Sequence, residues 1–195
     1  MKPKYKFVVF EGIDGCGKST QARMLADFLA ENSIPFILTQ EPSDSEYGKK
    51  VRELLSQKNP DPDKLLEYFV NDRKWHVDNE IKPFLDKGFI VICDRYYHST
   101  FAYQSIHHGI EKILNLHKGI LKPDIVVIFD IPPEVALKRT NTNEYFEKLD
   151  FLKKVRENYK NLREILKDEN IVYLDVKEKS VEEVFKEVLS VLELK

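Results

Sequence analysis

Short runs of apolar, β-branched and aromatic residues alternate along the chain with longer segments in which apolar positions recur every three or four residues. The first pattern fits strands buried on both faces and the second fits amphipathic helices, so their alternation predicts βαβ units around a parallel sheet. Strands are expected near 6–10, 35–39, 89–93, 125–130 and 171–174. Helices are expected near 18–31, 46–57, 63–86, 100–118 with a break, 133–140, 150–167 and 181–193. Within 150–167, Phe151, Leu152, Val155, Tyr159, Leu162 and Leu166 share one face, and Val181, Val184, Phe185, Val188, Leu189 and Leu192 form a second stripe near the end. Both stripes read as core-facing.

In an open parallel sheet, ligands collect beyond the carboxyl ends of the strands. That rule selects the loop after the first strand, then Glu41-Pro42, Asp94-Arg95-Tyr96, Asp130 and Asp175. The first loop is the most specific. Gly12-Ile13-Asp14-Gly15-Cys16-Gly17-Lys18-Ser19 has the spacing G-x-x-x-x-G-K-[ST] between an apolar strand and a helical stripe. Its glycines let backbone N–H groups converge on an anion at the helix start, Lys18 reaches the β and γ phosphates, and Ser19 offers a hydroxyl to Mg²⁺. Gly12 through Ser19, with Thr20 beside them, therefore form a candidate nucleoside triphosphate site.

A carboxylate at the end of a strand can hold the nucleotide's Mg²⁺, usually through water. Asp94 is the stronger candidate and Asp130 its rival, and either could instead only cap a loop or helix. Arg95 can clamp phosphate or neutralise charge on a transferred phosphoryl group. Phe69 and Arg73 lie four apart on one helix face, where a ring and a planar donor together can hold a nucleobase. Taken alone, that pair reads more readily as a core ring and a solvated cation.

The 31 basic and 33 acidic residues are interspersed, giving a formal net charge of -2 and no support for nucleic-acid binding. No stretch approaches membrane-spanning length, and the apolar run after the basic first residues is too short for a signal-peptide core. Cys16 and Cys93 have neither disulfide nor metal-site spacing, so a reduced, cytoplasmic setting is expected. A length of 195 residues fits one domain.

Together, Phe-Glu-Gly-Ile-Asp-Gly-Cys-Gly-Lys-Ser-Thr-Gln at 10–21, Glu41-Pro42, Phe69-Val-Asn-Asp-Arg73, Asp94-Arg95-Tyr96, Ser99-Thr100, Ala102-Tyr103-Gln104, Pro123-Asp124 and Ala136-Leu-Lys-Arg139 resemble the thymidylate kinase family. The match runs in order along nearly the whole chain. It implies an α/β, three-layer P-loop kinase fold: a five-stranded parallel sheet with helices on both faces, in a single domain over 1–195 with a lid near 140–148. It also implies transfer of the γ-phosphoryl group of Mg·ATP to dTMP, giving dTDP and ADP, by a homodimer.

Carried over residue by residue, the resemblance implies that Asp14 binds the 3′-hydroxyl of the acceptor sugar, Phe69 stacks on thymine and Arg73 bonds its carbonyl edge. Arg95 contacts the acceptor phosphate, the Tyr103 ring lies against the sugar's 2′ carbon, and Gln104, Glu41 and Ser99 complete the acceptor set. Arg139 stacks near adenine, and the loop after Asp175 closes over that ring. Lys18, Arg95, Asp94 and Arg139 form the catalytic set, with Ser19 and Asp94 for the metal.

Two departures stand out. Where the family often has Arg-Glu-Pro-Gly-Gly-Thr, this chain has Gln40-Glu41-Pro42-Ser43-Asp44-Ser45. Relatives with such a phosphate loop usually carry a lid arginine, and Tyr145 stands where one is expected, leaving Lys148 or Arg139 to supply the charge. The rival readings are a kinase of this fold with another acceptor (dUMP, UMP or a deoxynucleoside) and a regulatory P-loop ATPase.

Overall fold

Five parallel strands form the centre of the fold: β1 (Phe7–Glu11), β2 (Phe36–Gln40), β3 (Ile90–Asp94), β4 (Ile125–Asp130) and β5 (Ile171–Asp175), in the order β2-β3-β1-β4-β5. Every residue of β1 is buried, as a central strand covered on both faces requires. The computed structural model describes residues 3–140 and 145–194, apart from the side chains at 140 and 145–148. Of the lid expected at 140–148, residues 141–144 and the side chains of Thr140, Tyr145 and Lys148 lie outside the described residues.

Helix α1 (Lys18–Glu31) returns the chain from β1 and packs on the sheet and against α10 (Val181–Val191). The remaining helices in chain order are α2 (Glu46–Leu55), α3 (Pro62–His76), α4 (Lys82–Asp86), α5 (Tyr97–Tyr103), α6 (Ser105–His108), α7 (Ile110–Leu116), α8 (Pro133–Thr140) and α9 (Tyr145–Ile165). Contacts of α2 with α3, α3 with α5 and α5 with α9 join a second packed layer. The resulting α/β arrangement is the expected three-layer P-loop kinase fold.

Register positions the site. Phe10 on β1 and Gln40 on β2 both pair with Asp94 on β3, so the loops leaving these strands start at one level. Asp130 pairs with Asp175 on the other side of the sheet.

The structure departs from the expected helices in three places. The segment expected as one helix over 63–86 contains a π-helical turn at Val77–Ile81, just before Pro83. Proline clashes with the carbonyl four residues back, and a widened turn relieves that clash without ending the helix. The segment expected over 100–118 begins earlier, at Tyr97, while its expected break falls at Gly109, whose φ of 74° and ψ of 153° suit glycine. The helix expected from 150 begins at Tyr145, ahead of the first core-facing turn that the apolar pattern marks.

Candidate active site

The phosphate loop leaves β1 through Gly12 at φ 140° and enters α1 through Gly17 at φ 97°. A Cβ at Gly12 would lie 2.8 Å from both the Cys16 Sγ and the Phe129 carbonyl oxygen, so the loop closes there only around glycine. Helices α2, α3 and α10 are capped by the side chains of Ser45, Asp61 and Ser180, whereas α1 has no side-chain cap. Its first-turn N–H groups are therefore available to an anion.

Ile13 and Cys16 are buried, so within the loop they contribute backbone while their side chains pack. Burial raises the Cys16 thiol above its ordinary range, keeping it neutral. Gly15 through Gln21 line a cavity of about 450 Å³, closed on its other side by Arg139, Val176, Lys179 and Ser180. Arg139 reaches across from the end of α8, with Nη1 3.4 Å from the Gly15 carbonyl oxygen. The loop after β5 thus forms the far wall of this cavity.

Ser19 donates its hydroxyl to Oδ2 of Asp94, while Asp94 Oδ1 is buried and has no hydrogen-bond partner among the described residues. A buried carboxylate oxygen beside a phosphate loop suits a cation or its bound water. Asp130 differs. Both its oxygens accept from Arg156 of α9, at 2.6 and 2.8 Å, which makes it the anchor of a helix.

A second cavity, about 190 Å³, is lined by Asp14, Glu41, Phe69, Arg73, Arg95, Ser99, Tyr103 and Gln104. Arg95 sits in the left-handed backbone region at φ 72°, a strained conformation that aims its side chain into the cavity mouth. Its Nη2 donates to Asp14 Oδ1 at 2.5 Å and its Nη1 to Ser99 Oγ at 3.1 Å, and its guanidinium lies 5.5 Å from the centre of the Tyr103 ring. Lys18 Nζ lies 3.8 Å from the same Asp14 oxygen. Asp14 therefore stands between one cation from each cavity.

Arg73 is 1% exposed, against the solvated cation that helical spacing alone would give. Its Nε and Nη2 donate to Glu41 Oε2 at 2.9 and 2.5 Å, and its Nη1 donates to Thr100 Oγ1 at 3.1 Å and His117 Nε2 at 2.7 Å. Guanidinium has five N–H donors, so one Nη2–H is left for a ligand. Burial, then the Arg73 charge, lowers the His117 imidazole from 6.5 to about 3, leaving it neutral. Its Nδ1 donates to the Ile113 carbonyl oxygen at 2.8 Å, which leaves Nε2 as the acceptor that Arg73 needs. Glu41 and Ser99 line the cavity, yet their side chains are engaged by Arg73 and by Arg95 and Glu11 respectively, so both hold other site residues in place.

Several participants carry no distinctive mark in the sequence. Buried Glu11 accepts from the Tyr96 and Ser99 amides at 2.8 and 3.1 Å, the Ser99 hydroxyl at 2.7 Å and the Tyr159 hydroxyl at 2.8 Å, tying β1 to the start of α5 and to α9. Its one signal was a carboxylate at the end of an apolar strand. Buried Asp72 accepts from the Ser43 amide and hydroxyl at 2.8 and 2.5 Å and from Ser45 Oγ at 2.6 Å. The unusual Ser43-Asp44-Ser45 run is thus fastened to α3, and Ser45 also caps α2 through the Gly48 amide at 2.9 Å.

Fold and phosphate loop together define a P-loop kinase. The chain matches the family profile described as "Thymidylate kinase" over residues 10–188. It is 36% identical over 197 residues to a probable thymidylate kinase of Pyrococcus abyssi and 43% identical over 189 residues to one of Methanocaldococcus jannaschii, covering 95% of both chains in each case. It is 38% identical over 203 residues to a thymidylate kinase of Carboxydothermus hydrogenoformans, covering 96% of this chain and 97% of that one. The chain belongs to the thymidylate kinase family.

Proposed function

We propose that this chain transfers the γ-phosphoryl group of ATP to dTMP, giving dTDP and ADP. The observation that carries the reading is that Asp14, which lines the second cavity, lies 3.8 Å from Lys18 of the first cavity and 2.5 Å from Arg95 of the second. A donor nucleotide in the first and an acceptor in the second would bring γ phosphate and acceptor phosphate together between these cations. Phosphoryl transfer needs positioning and charge neutralisation more than covalent help, and this arrangement offers both.

In this reading an acceptor phosphate oxygen forms the new bond to γ phosphorus as the bond to the β-phosphate oxygen breaks. Lys18, Arg95 and Arg139 hold the developing charge. Phe69 and the spare Nη2–H of Arg73 take the base, and the Tyr103 ring closes the space where a ribose 2′-hydroxyl would sit. Gln104 borders the base or sugar, and Asp14 takes the 3′-hydroxyl.

The unpartnered Asp94 oxygen and the Ser19 hydroxyl fit Mg²⁺, which when bound would neutralise phosphate charge. The family resemblance supports a single-domain homodimer and a cytoplasmic setting as further proposals. The test of the activity is a panel of dTMP, dUMP, UMP and dCMP with ATP, read by coupled ADP formation. Transfer to dTMP above the other acceptors is expected. Equal phosphate release without acceptor would replace this reading with an ATPase.

A further inference from the structure

Behind Arg73 lies a chain of polar groups that the proposed transfer does not use directly. Glu41, 4% exposed, gives Oε2 to Arg73 and leaves Oε1 facing His76 Nδ1 at 3.2 Å. His76 is fully buried, and its other nitrogen, Nε2, lies 2.7 Å from Thr39 Oγ1 on β2 and 3.3 Å from Glu80 Oε2. Thr39 Oγ1 in turn lies 3.0 Å from that Glu80 oxygen. Glu80 belongs to the π-helical turn, so the widened part of the helix supplies the outer end of the chain.

A carboxylate accepts, so His76 faces Glu41 through Nδ1 as a donor, while the Thr39 hydroxyl donates to Glu80 Oε2 and its oxygen faces Nε2. The buried ring is thus held at both of its nitrogens.

The mechanical consequence falls on Glu41. Arg73 holds one of its oxygens, and since Thr100 and His117 hold the other arm of the guanidinium, a Glu41 held through one oxygen is the side of the pair that can turn about its own bond and loosen the Nε and Nη2 contacts. The His76 bond to the second oxygen fixes that rotation. We propose that His76, held between Glu41 and the Thr39–Glu80 pair, is a positioning residue for acceptor choice: it locks Glu41 so that Arg73 presents its remaining Nη2–H to a base carbonyl. The inference rests on the acceptor reading above. It favours bases with a carbonyl at that edge, thymine and uracil, over cytosine, which carries an amino group there.

The experiment compares wild type with His76→Leu, His76→Asn and Glu80→Gln, measuring KM for dTMP, KM for ATP and the preference for dTMP over dCMP, with a thermal melt for each protein. His76→Leu removes a buried charge-assisted bond and is expected to raise KM for dTMP about tenfold, with a similar loss of preference over dCMP and KM for ATP within about twofold. His76→Asn keeps an N–H near the Nδ1 position and is expected to restore most of the affinity and the preference. Glu80 is partly exposed and its substitution leaves the core intact, so Glu80→Gln should raise KM for dTMP by roughly threefold even if His76→Leu does not fold. A Leu variant matched by the Asn variant, a loss shared equally by ATP and dTMP, or an unchanged Glu80→Gln would each overturn the positioning role while leaving the kinase reading intact. A wild-type protein that fails to use dTMP would overturn both.

Discussion

Asp94 and Asp130 are alike as sequence, each a carboxylate ending an apolar strand, and their neighbours separate them. Asp130 is held by Nε and Nη2 of Arg156, whereas Asp94 keeps one buried oxygen without a partner among the described residues, beside Ser19. Asp94→Asn should therefore lower kcat by two or more orders of magnitude with little change in melting temperature. Asp130→Asn should keep kcat within about twofold and cost about 1 kcal/mol of stability, since the Arg156 pair is partly exposed. Equal effects on turnover would remove the distinction. Arg73 needs a different expectation from that of an exposed cation. Arg73→Ala should weaken kcat/KM for dTMP by roughly 1–3 kcal/mol with KM for ATP nearly unchanged. It should also cost about 3–5 kcal/mol of stability, because it strands buried Glu41. Kinetics on the folded fraction and a denaturant titration read the two effects separately, and an intact dTMP KM in folded protein would exclude Arg73 from base recognition.

At the scale of elements, legibility depended on whether the signal was local. All five strands were readable to within a residue because each is an uninterrupted apolar run, and the phosphate loop because its spacing is tied to backbone geometry. The π-helical turn was not readable, since Val77–Ile81 keeps an ordinary helical pattern and only Pro83 hints at the widening. Nor was the order of the acceptor cavity, whose walls come from five separate segments brought level by strand register. The Ser43-Asp44-Ser45 departure looked in sequence like a change of loop shape near the acceptor. In the fold, Asp72 holds both serines and presses the loop onto α2, so that a Cβ at Gly48 would lie 2.1 Å from the Ser43 carbonyl oxygen. Gly48→Ala should then cost about 1–3 kcal/mol and raise KM for dTMP, because Glu41 and Pro42 lead into the displaced loop. A denaturation curve superposable on wild type would show that the loop and α2 are not pressed together.

Across the whole molecule, the acceptor cavity rests on a layer of buried polar side chains, and acid should undermine it from behind. Arg73 donates to His117 Nε2, so the site requires a neutral imidazole, and burial together with Arg73 lowers that group from 6.5 to about 3. In the unfolded chain His117 takes up a proton near its ordinary value, while in the folded chain it resists until near 3. Between those limits the unfolded state binds the extra proton, so this contribution to stability is complete above 6.5 and declines as pH falls toward 3. The steepest loss is about 1.4 kcal/mol per pH unit, on top of the carboxylate contributions common to any variant. His117→Gln offers Arg73 an acceptor that does not titrate, so it should start less stable near neutrality, because its packing is poorer, and lose stability more gently on acidification. Urea midpoints measured in steps from pH 7 to pH 4 give both curves. They should converge as pH falls, and parallel curves would show that His117 does not carry this part of the acid sensitivity.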